Sequence, residues 1–205
     1  MTLRAVLLDI EGTTSSIAFV AEVLFPYARA RLLDFAAAHP EALADVPGED
    51  KLATLHAWMD EDRKETLLKD IQGQIWAQGY ADGSLAGHVY PDTPVALRRW
   101  RDAGLAVHIY SSGSIAAQRL LFGHSIAGDL TPLIDGYFDT TTGPKREAAS
   151  YAAIAAALGL SPEELLFVSD AEAEVSAARA AGMAAVLIDR DGGRGDVASL
   201  AEVLP

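Results

Sequence analysis

The sequence contains no cysteine among its 205 residues, which excludes disulfides, thiolate nucleophiles and Cys-ligated metals. Its chemistry must rest on oxygen and nitrogen groups. Basic residues are scarce as well: 16 Lys and Arg against 29 Asp and Glu leave a net charge of -13. With no basic surplus to displace counterions, general affinity for nucleic acid or an anionic membrane is not expected. An anionic ligand would have to be held by local cations, backbone N–H groups or a metal. No apolar run approaches the ~20 residues that span a bilayer. The opening "MTLRAVLLD" lacks the basic region, apolar stretch and small-residue cleavage site of a signal peptide, so a soluble cytoplasmic chain is expected.

What is present is a rhythm of short apolar runs and helical segments. "AVLLD" (5–9), "LAVHIY" (105–110), "LLFVSD" (165–170) and "AAVLID" (184–189) have the composition of strands buried on both faces, with "GYFDT" (136–140) a weaker one. The intervening segments 93–104, 115–123, 145–159 and 172–182 have helical spacing, and several end in Gly. The alternation predicts an α/β fold, a mostly parallel sheet with helices on both faces.

Residues 17–90 break the rhythm. They contain no convincing strand, and 19–39 and 60–80 have helical spacing around the loop "PEALADVPGED". In the second helix Leu67, Ile71 and Ile75 form one apolar stripe at i, i+4 and i+8. The expected organisation is a core domain of 1–16 and 91–205 with a helical cap subdomain of 17–90 inserted after the first strand. Ligands of open α/β sheets bind beyond the carboxyl ends of the strands, so an insert starting there is placed to act as a lid. Trp76 and Tyr80 give it apolar surface, either for a ligand or for its own core.

The strand ends carry the candidate chemistry. The first delivers Asp9 and Glu11, with Gly12 allowing a sharp turn and Thr13 to Ser16 starting the lid. The second delivers Ser111, Ser112 and Ser114 around Gly113. The strand at 165–169 delivers Asp170, with Glu174 four residues on, and Lys145 stands at the start of a helix. Hard oxygen ligands suit Mg²⁺, hydroxyls and helix N-termini suit phosphate oxygens, and a carboxylate can attack phosphorus. Taken singly, each has an ordinary explanation as a cap, a turn or a surface charge. Their order at successive strand ends favours phosphoryl chemistry. His108 sits inside an apolar strand and reads as structural; His88, where the insert returns, could be structural or a proton carrier.

These residues resemble the four motifs of haloacid-dehalogenase-superfamily phosphotransferases. "DIEGTTSSIAFV", "IQGQIWAQGY", "HVYPDTPVALRRW", the block from "IYSSGS" to "KREAASY", and "FVSDAEAEVSAARAAGM" are similar to one family more closely, the enolase-phosphatases (acireductone synthases) of methionine salvage. That resemblance implies a HAD-like fold and one Mg²⁺ per subunit. The reaction it implies enolises 2,3-diketo-5-methylthiopentyl 1-phosphate and then removes the phosphate through an aspartyl-phosphate. It implies Asp9 as nucleophile and metal ligand, Asp170 completing the metal site, and Glu174 holding a metal-bound water. Ser111, Ser112 and Lys145 would hold the phosphate. Glu11, where many relatives carry Asp, would serve as acid and base or coordinate the metal more directly. The implied partner is a small phosphorylated diketone, with a monomer expected and neither nucleic acid nor membrane. A general phosphatase of the same superfamily, or a catalytically silent phosphate-binding module, are the alternatives. Asp170 and the second acid at Glu11 argue against a metal-free dehalogenase, and no G-x-G-x-x-G follows the first strand to suggest a dehydrogenase.

Overall fold

The computed structural model describes residues 2–61, 63 and 65–204. Asp62 and Lys64, inside the helix expected over 60–80, and Met1 and Pro205, the ends of the expected core domain, lie outside the described residues. The chain divides into two compact units, Met1–Ile17 with Gly87–Pro205, and Ala18–Ala86. Strands are β1 (Ala5–Leu8), β2 (Ala106–Tyr110), β3 (Gly136–Phe138), β4 (Leu165–Ser169) and β5 (Ala184–Leu187). Helices are α1 (Ile17–Phe19), α2 (Phe25–Ala38), α3 (Lys51–Asp60), α4 (Thr66–Ala81), α5 (Thr93–Asp102), α6 (Ile115–Gly123), α7 (Ala148–Leu158) and α8 (Glu172–Ala180).

All five strands run parallel, in the order β3-β2-β1-β4-β5. β1 is central because every one of its residues is apolar and buried on both faces. Its Leu8 pairs with Ile109 on one side and Val168 on the other. From β1 the chain builds outward through β2 and β3, then reverses through β4 and β5. The carboxyl end of β1 therefore lies at a topological switch point, where such sheets hold ligands. β5 was expected to be buried on both faces and is an edge strand, with Ala184 exposed and the rest half-buried. Two of its four residues are alanine, which loses little by staying partly in solvent.

The sheet's core includes Leu7, Tyr110, Tyr151, Ile154 and Phe167, all fully buried. Tyr151 meets Tyr110 and Phe167 edge to face, with centroids 5.6 and 5.0 Å away. Truncating a ring so placed costs about 3–5 kcal/mol. In α5, Leu97 and Trp100 face inward. Arg99 donates to the carbonyls of Leu200, Ala201 and Val203, tying down the C-terminal segment.

The helical unit has its own core of Leu32, Phe35, Leu55, Trp58, Leu68, Ile71 and Ile75. Between α1 and α2 the helix widens into one π-turn (Val20–Leu24), where the Phe25 N–H donates to the Val20 carbonyl. Pro26 supplies the cause, because its ring would strike the carbonyl four residues back and an extra residue in the turn relieves the clash. α3 was not foreseen. It begins after Asp50, whose side chain accepts from the Ala53 N–H at 2.9 Å. In α4 the buried stripe is Leu68, Ile71 and Ile75, while Leu67 is only half-buried. Trp76 belongs to this unit's packing: its indole N–H donates to the Leu24 carbonyl at 2.9 Å and its ring stacks near Phe25. No helix among the described residues is long and apolar enough to cross a membrane.

Candidate active site

Asp9 is the first residue beyond β1 and only 4% exposed. Its N–H still donates to the Val168 carbonyl of β4, so the sheet fixes its backbone. The chain then turns tightly. The N–H groups of Thr13, Thr14 and Ser15 all converge on the Ile10 carbonyl, and that of Gly12 on the Ser15 carbonyl. Gly12 adopts φ +71°, and a Cβ there would fall on the carboxylate of Asp170. The left-handed conformation and the close approach each require glycine. The hydroxyls that follow are braces rather than the start of a lid. Thr14 donates to the Asp9 carbonyl at 3.0 Å, Thr13 accepts from the Asp170 N–H at 3.1 Å, and Thr13 to Ser15 are fully buried in the sheet unit.

Lys145 is not at a helix start, since α7 begins three residues later. It stands in a turn whose carbonyls are each taken by a hydroxyl: Gly143 by Tyr110 (2.8 Å), Pro144 by Ser150 (2.7 Å) and Lys145 by Tyr151 (2.7 Å). Gly143 has φ +148°, and a Cβ there would collide with the Ser150 hydroxyl. Held in this way, the side chain reaches inward instead of into solvent and is 7% exposed. Its ammonium lies 2.6 Å from Asp9 Oδ1 and 2.6 Å from Glu174 Oε2. Burial alone would lower its pKa, but the two carboxylates outweigh burial and hold it above the ordinary lysine value.

The end of β4 supplies a residue the sequence reading missed. The Ser169 hydroxyl lies 3.2 Å from Asp9 Oδ2 and 2.9 Å from Glu174 Oε2, and accepts from the Ala171 N–H. Having one proton, it donates to one carboxylate at a time. Its only signal in the sequence is a hydroxyl at the end of an otherwise apolar strand. Next to it, Asp170 is pushed up to about 6 by burial and by the charges of Asp9 and Glu174. Glu174 is also raised, because burial and Asp9 outweigh the pull of Lys145. Three carboxylates thus crowd around one ammonium in a poorly solvated place, two of them in contact with it.

The remaining sequence candidates are less tightly gathered. Ser111 and Ser112 lie just past β2, on the strand beside β1. Ser111 is buried with its hydroxyl accepting from the Gly113 N–H at 3.2 Å, while Ser112 is exposed. The hydroxyl of Ser114 caps α6 by accepting from the Ala117 N–H. Glu11 sits half-buried in the turn after Asp9, its backbone bridged to Ser15. His108 is buried in β2, its Nδ1 without a hydrogen-bond partner and its pKa lowered by burial, a structural histidine held neutral. His88 Nδ1 accepts from the Ser16 N–H at 3.1 Å, so the neutral ring carries its proton on Nε2.

The cluster suits a divalent cation in its charge balance and in its donors. Among the described residues no three carboxylate or imidazole side chains close into a metal cage. Mg²⁺ does not need one, since one or two carboxylates and several waters suffice. Asp9 and Asp170 meet that demand, with the Asp170 carboxylate in the concavity that a side chain at residue 12 would fill. The Glu174 oxygen that meets Lys145 also meets Ser169, which fits a supporting role better than direct ligation.

Comparison with known proteins gives the chain's family. Residues 3–182 match the family model described as haloacid dehalogenase-like hydrolase. The chain is 53% identical to an enolase-phosphatase E1 of Pseudomonas aeruginosa (strain UCBPP-PA14), over 100% of this chain and 99% of that protein. It is 52% identical to an enolase-phosphatase E1 of Azotobacter vinelandii, over 96% and 93%. Among solved structures, the UTR4 protein of Saccharomyces cerevisiae superposes with a TM-score of 0.85 at 35% identity, covering 96% of this chain and 97% of that one.

Proposed function

The chain belongs to the haloacid dehalogenase-like hydrolases, and on that premise we propose that it is an enolase-phosphatase whose strand-end carboxylates divide the work. It converts 2,3-diketo-5-methylthiopentyl 1-phosphate to the acireductone and phosphate, by enolisation followed by dephosphorylation. The observation that carries the mechanism is the buried Lys145 ammonium shared between Asp9 and Glu174.

Asp9 is the nucleophile. Its carboxylate attacks phosphorus, the phosphorus–oxygen bond to the substrate breaks, and the leaving oxygen takes a proton from Glu11. Glu11 then accepts a proton from the water that attacks the aspartyl-phosphate, so phosphate departs and Asp9 is restored. Lys145 holds Asp9 in place and presents its charge to the phosphoryl oxygens. A fixed cation in a poorly solvated site stabilises such a transition state without reorganising. Ser111 and Ser112 bind the phosphate, and Ser169 and Glu174 keep Lys145 and Asp9 aligned.

Phosphatases of this family generally use Mg²⁺. Asp9 and Asp170 would hold it, with Glu11 beside them and Glu174 in support, one ion per chain. Bound there it supplies positive charge toward the phosphoryl oxygens. The test is rapid quenching with phosphorus-labelled substrate. Acid-stable label on the wild-type protein, absent from Asp9→Asn, supports the assignment; equal labelling of both overturns it.

A further inference from the structure

The guanidinium of Arg190 lies far in sequence from the turn that follows Asp9 and close behind it in space. Its Nε and Nη2 both donate to the Thr13 carbonyl, and its Nη1 donates to Asp92 Oδ2 at 2.6 Å. Its plane lies over the Tyr90 ring, 4.1 Å from the centroid. The side chain is 14% exposed, so these contacts are well removed from solvent. Asp92 is itself pinned, since the same Oδ2 accepts from the Ser199 hydroxyl at 2.6 Å and the Leu200 N–H at 2.8 Å. Burial works to raise the Asp92 pKa, but the hydrogen bonds from Arg190 and Ser199 prevail and hold it low. The pair is therefore charged on both sides.

Thr13 is the residue this clamp acts upon. Its hydroxyl accepts the N–H of Asp170, and its neighbour Gly12 sits directly against the Asp170 carboxylate. The turn from Ile10 to Ser15 bonds largely to itself, so an outside anchor sets where it stands relative to β4. Tyr90 N–H and the Thr93 hydroxyl anchor the Thr14 carbonyl; Arg190 anchors the Thr13 carbonyl.

We infer that Arg190 is a positioning residue that, through the Thr13 carbonyl, sets the spacing between the turn bearing Glu11 and the carboxylate of Asp170. The role is specific to arginine. It needs a planar fork that binds one carbonyl twice, reaches a carboxylate with its other end and stacks on a ring. A lysine can neutralise Asp92 but cannot make the other contacts together. The inference rests on the assignment of Asp9, Glu11 and Asp170 to the reacting site.

The test compares wild type, Arg190→Lys, Arg190→Gln and Ser199→Ala. Ser199 shares Asp92 with Arg190 but does not touch Thr13, so Ser199→Ala reports loss of the clamp's structural half alone. Expected for Arg190→Lys are a kcat at least tenfold lower, a KM within threefold of wild type, and Mg²⁺ affinity by calorimetry at least fivefold weaker. Ser199→Ala should lower Tm with kcat and Mg²⁺ affinity within twofold. Arg190→Gln should follow Arg190→Lys in both readouts. Calorimetry uses the metal alone and no ester, so a wild type inactive on the diketo phosphate would sink the substrate assignment and leave this test intact. Arg190→Lys with Mg²⁺ affinity and kcat within twofold of wild type would overturn the inference.

Discussion

The Lys145 ammonium lies 2.6 Å from Oδ1 of Asp9, although 136 residues separate the two in sequence. Asp9 directly follows the central strand, while Lys145 stands in a turn whose three carbonyls are held by Tyr110, Ser150 and Tyr151. The fold thus delivers the cation as deliberately as it delivers the carboxylate. Breaking a buried pair by removing one partner leaves a buried charge uncompensated, at a cost of about 3–5 kcal/mol.

Lys145→Ala is expected to lose at least 100-fold in kcat/KM, about 2.7 kcal/mol of transition-state stabilisation, and to unfold at lower denaturant. Because Lys145's pKa is raised in the folded state, its stabilising contribution is complete below the ordinary lysine value and is lost as pH rises through the folded one. The wild-type advantage in chemical denaturation should therefore persist through neutral pH and shrink only in strong alkali. A kcat/KM within tenfold of wild type would show that the ammonium is not required by the chemistry.

Gly12→Ala separates strain from chemistry. An alanine at φ +71° costs roughly 1–2 kcal/mol, a loss that thermal unfolding would register as a few degrees. Its Cβ would also displace the Asp170 carboxylate, so activity should fall by two orders of magnitude or more. A variant that loses stability but keeps its kcat would mean that the Asp170 position is not critical.

Asp170 gives the pH signature. Its carboxyl is raised to about 6 in the folded chain, first by burial and then by Asp9 and Glu174. A raised acid contributes its stability in full below the unfolded value near 4 and loses it as pH rises through about 6. Metal-free Asp170→Asn should therefore have a higher Tm than metal-free wild type at pH 7, and the gap should narrow as pH falls to 5. Saturating Mg²⁺ should reverse the order, because it binds the folded wild type. A gap that does not change with pH would contradict the assigned burial and crowding.

The strand ends were readable because Asp9 and Ser111 directly follow an apolar run and Asp170 stands one residue beyond another, and a parallel sheet places such ends together. Glu174 was readable from its spacing to Asp170. What could not be read depends on contacts across the chain. Tyr110 and Tyr151 look like core aromatics, and only the fold shows their hydroxyls on the Gly143 and Lys145 carbonyls. Ser169 is one hydroxyl after four apolar residues, and Arg190 lies in a segment with no motif. Composition alone does not show that Thr13 to Ser16 belong to the sheet unit rather than to the start of the lid; the contacts of Thr13 and Thr14 with Asp170 and Asp9 show it. The edge position of β5 and the start of α7 after Lys145 follow from pairing and local turn geometry, which apolar spacing does not encode.

The enolase-phosphatase assignment is tested most directly by giving purified protein and Mg²⁺ the diketo phosphate, while recording enol absorbance and inorganic phosphate in the same cuvette. The account predicts that enol appears first and phosphate follows, and that Asp9→Asn stops the phosphate. Phosphate released without any enol, or only from simpler esters, would contradict it and leave a general phosphatase.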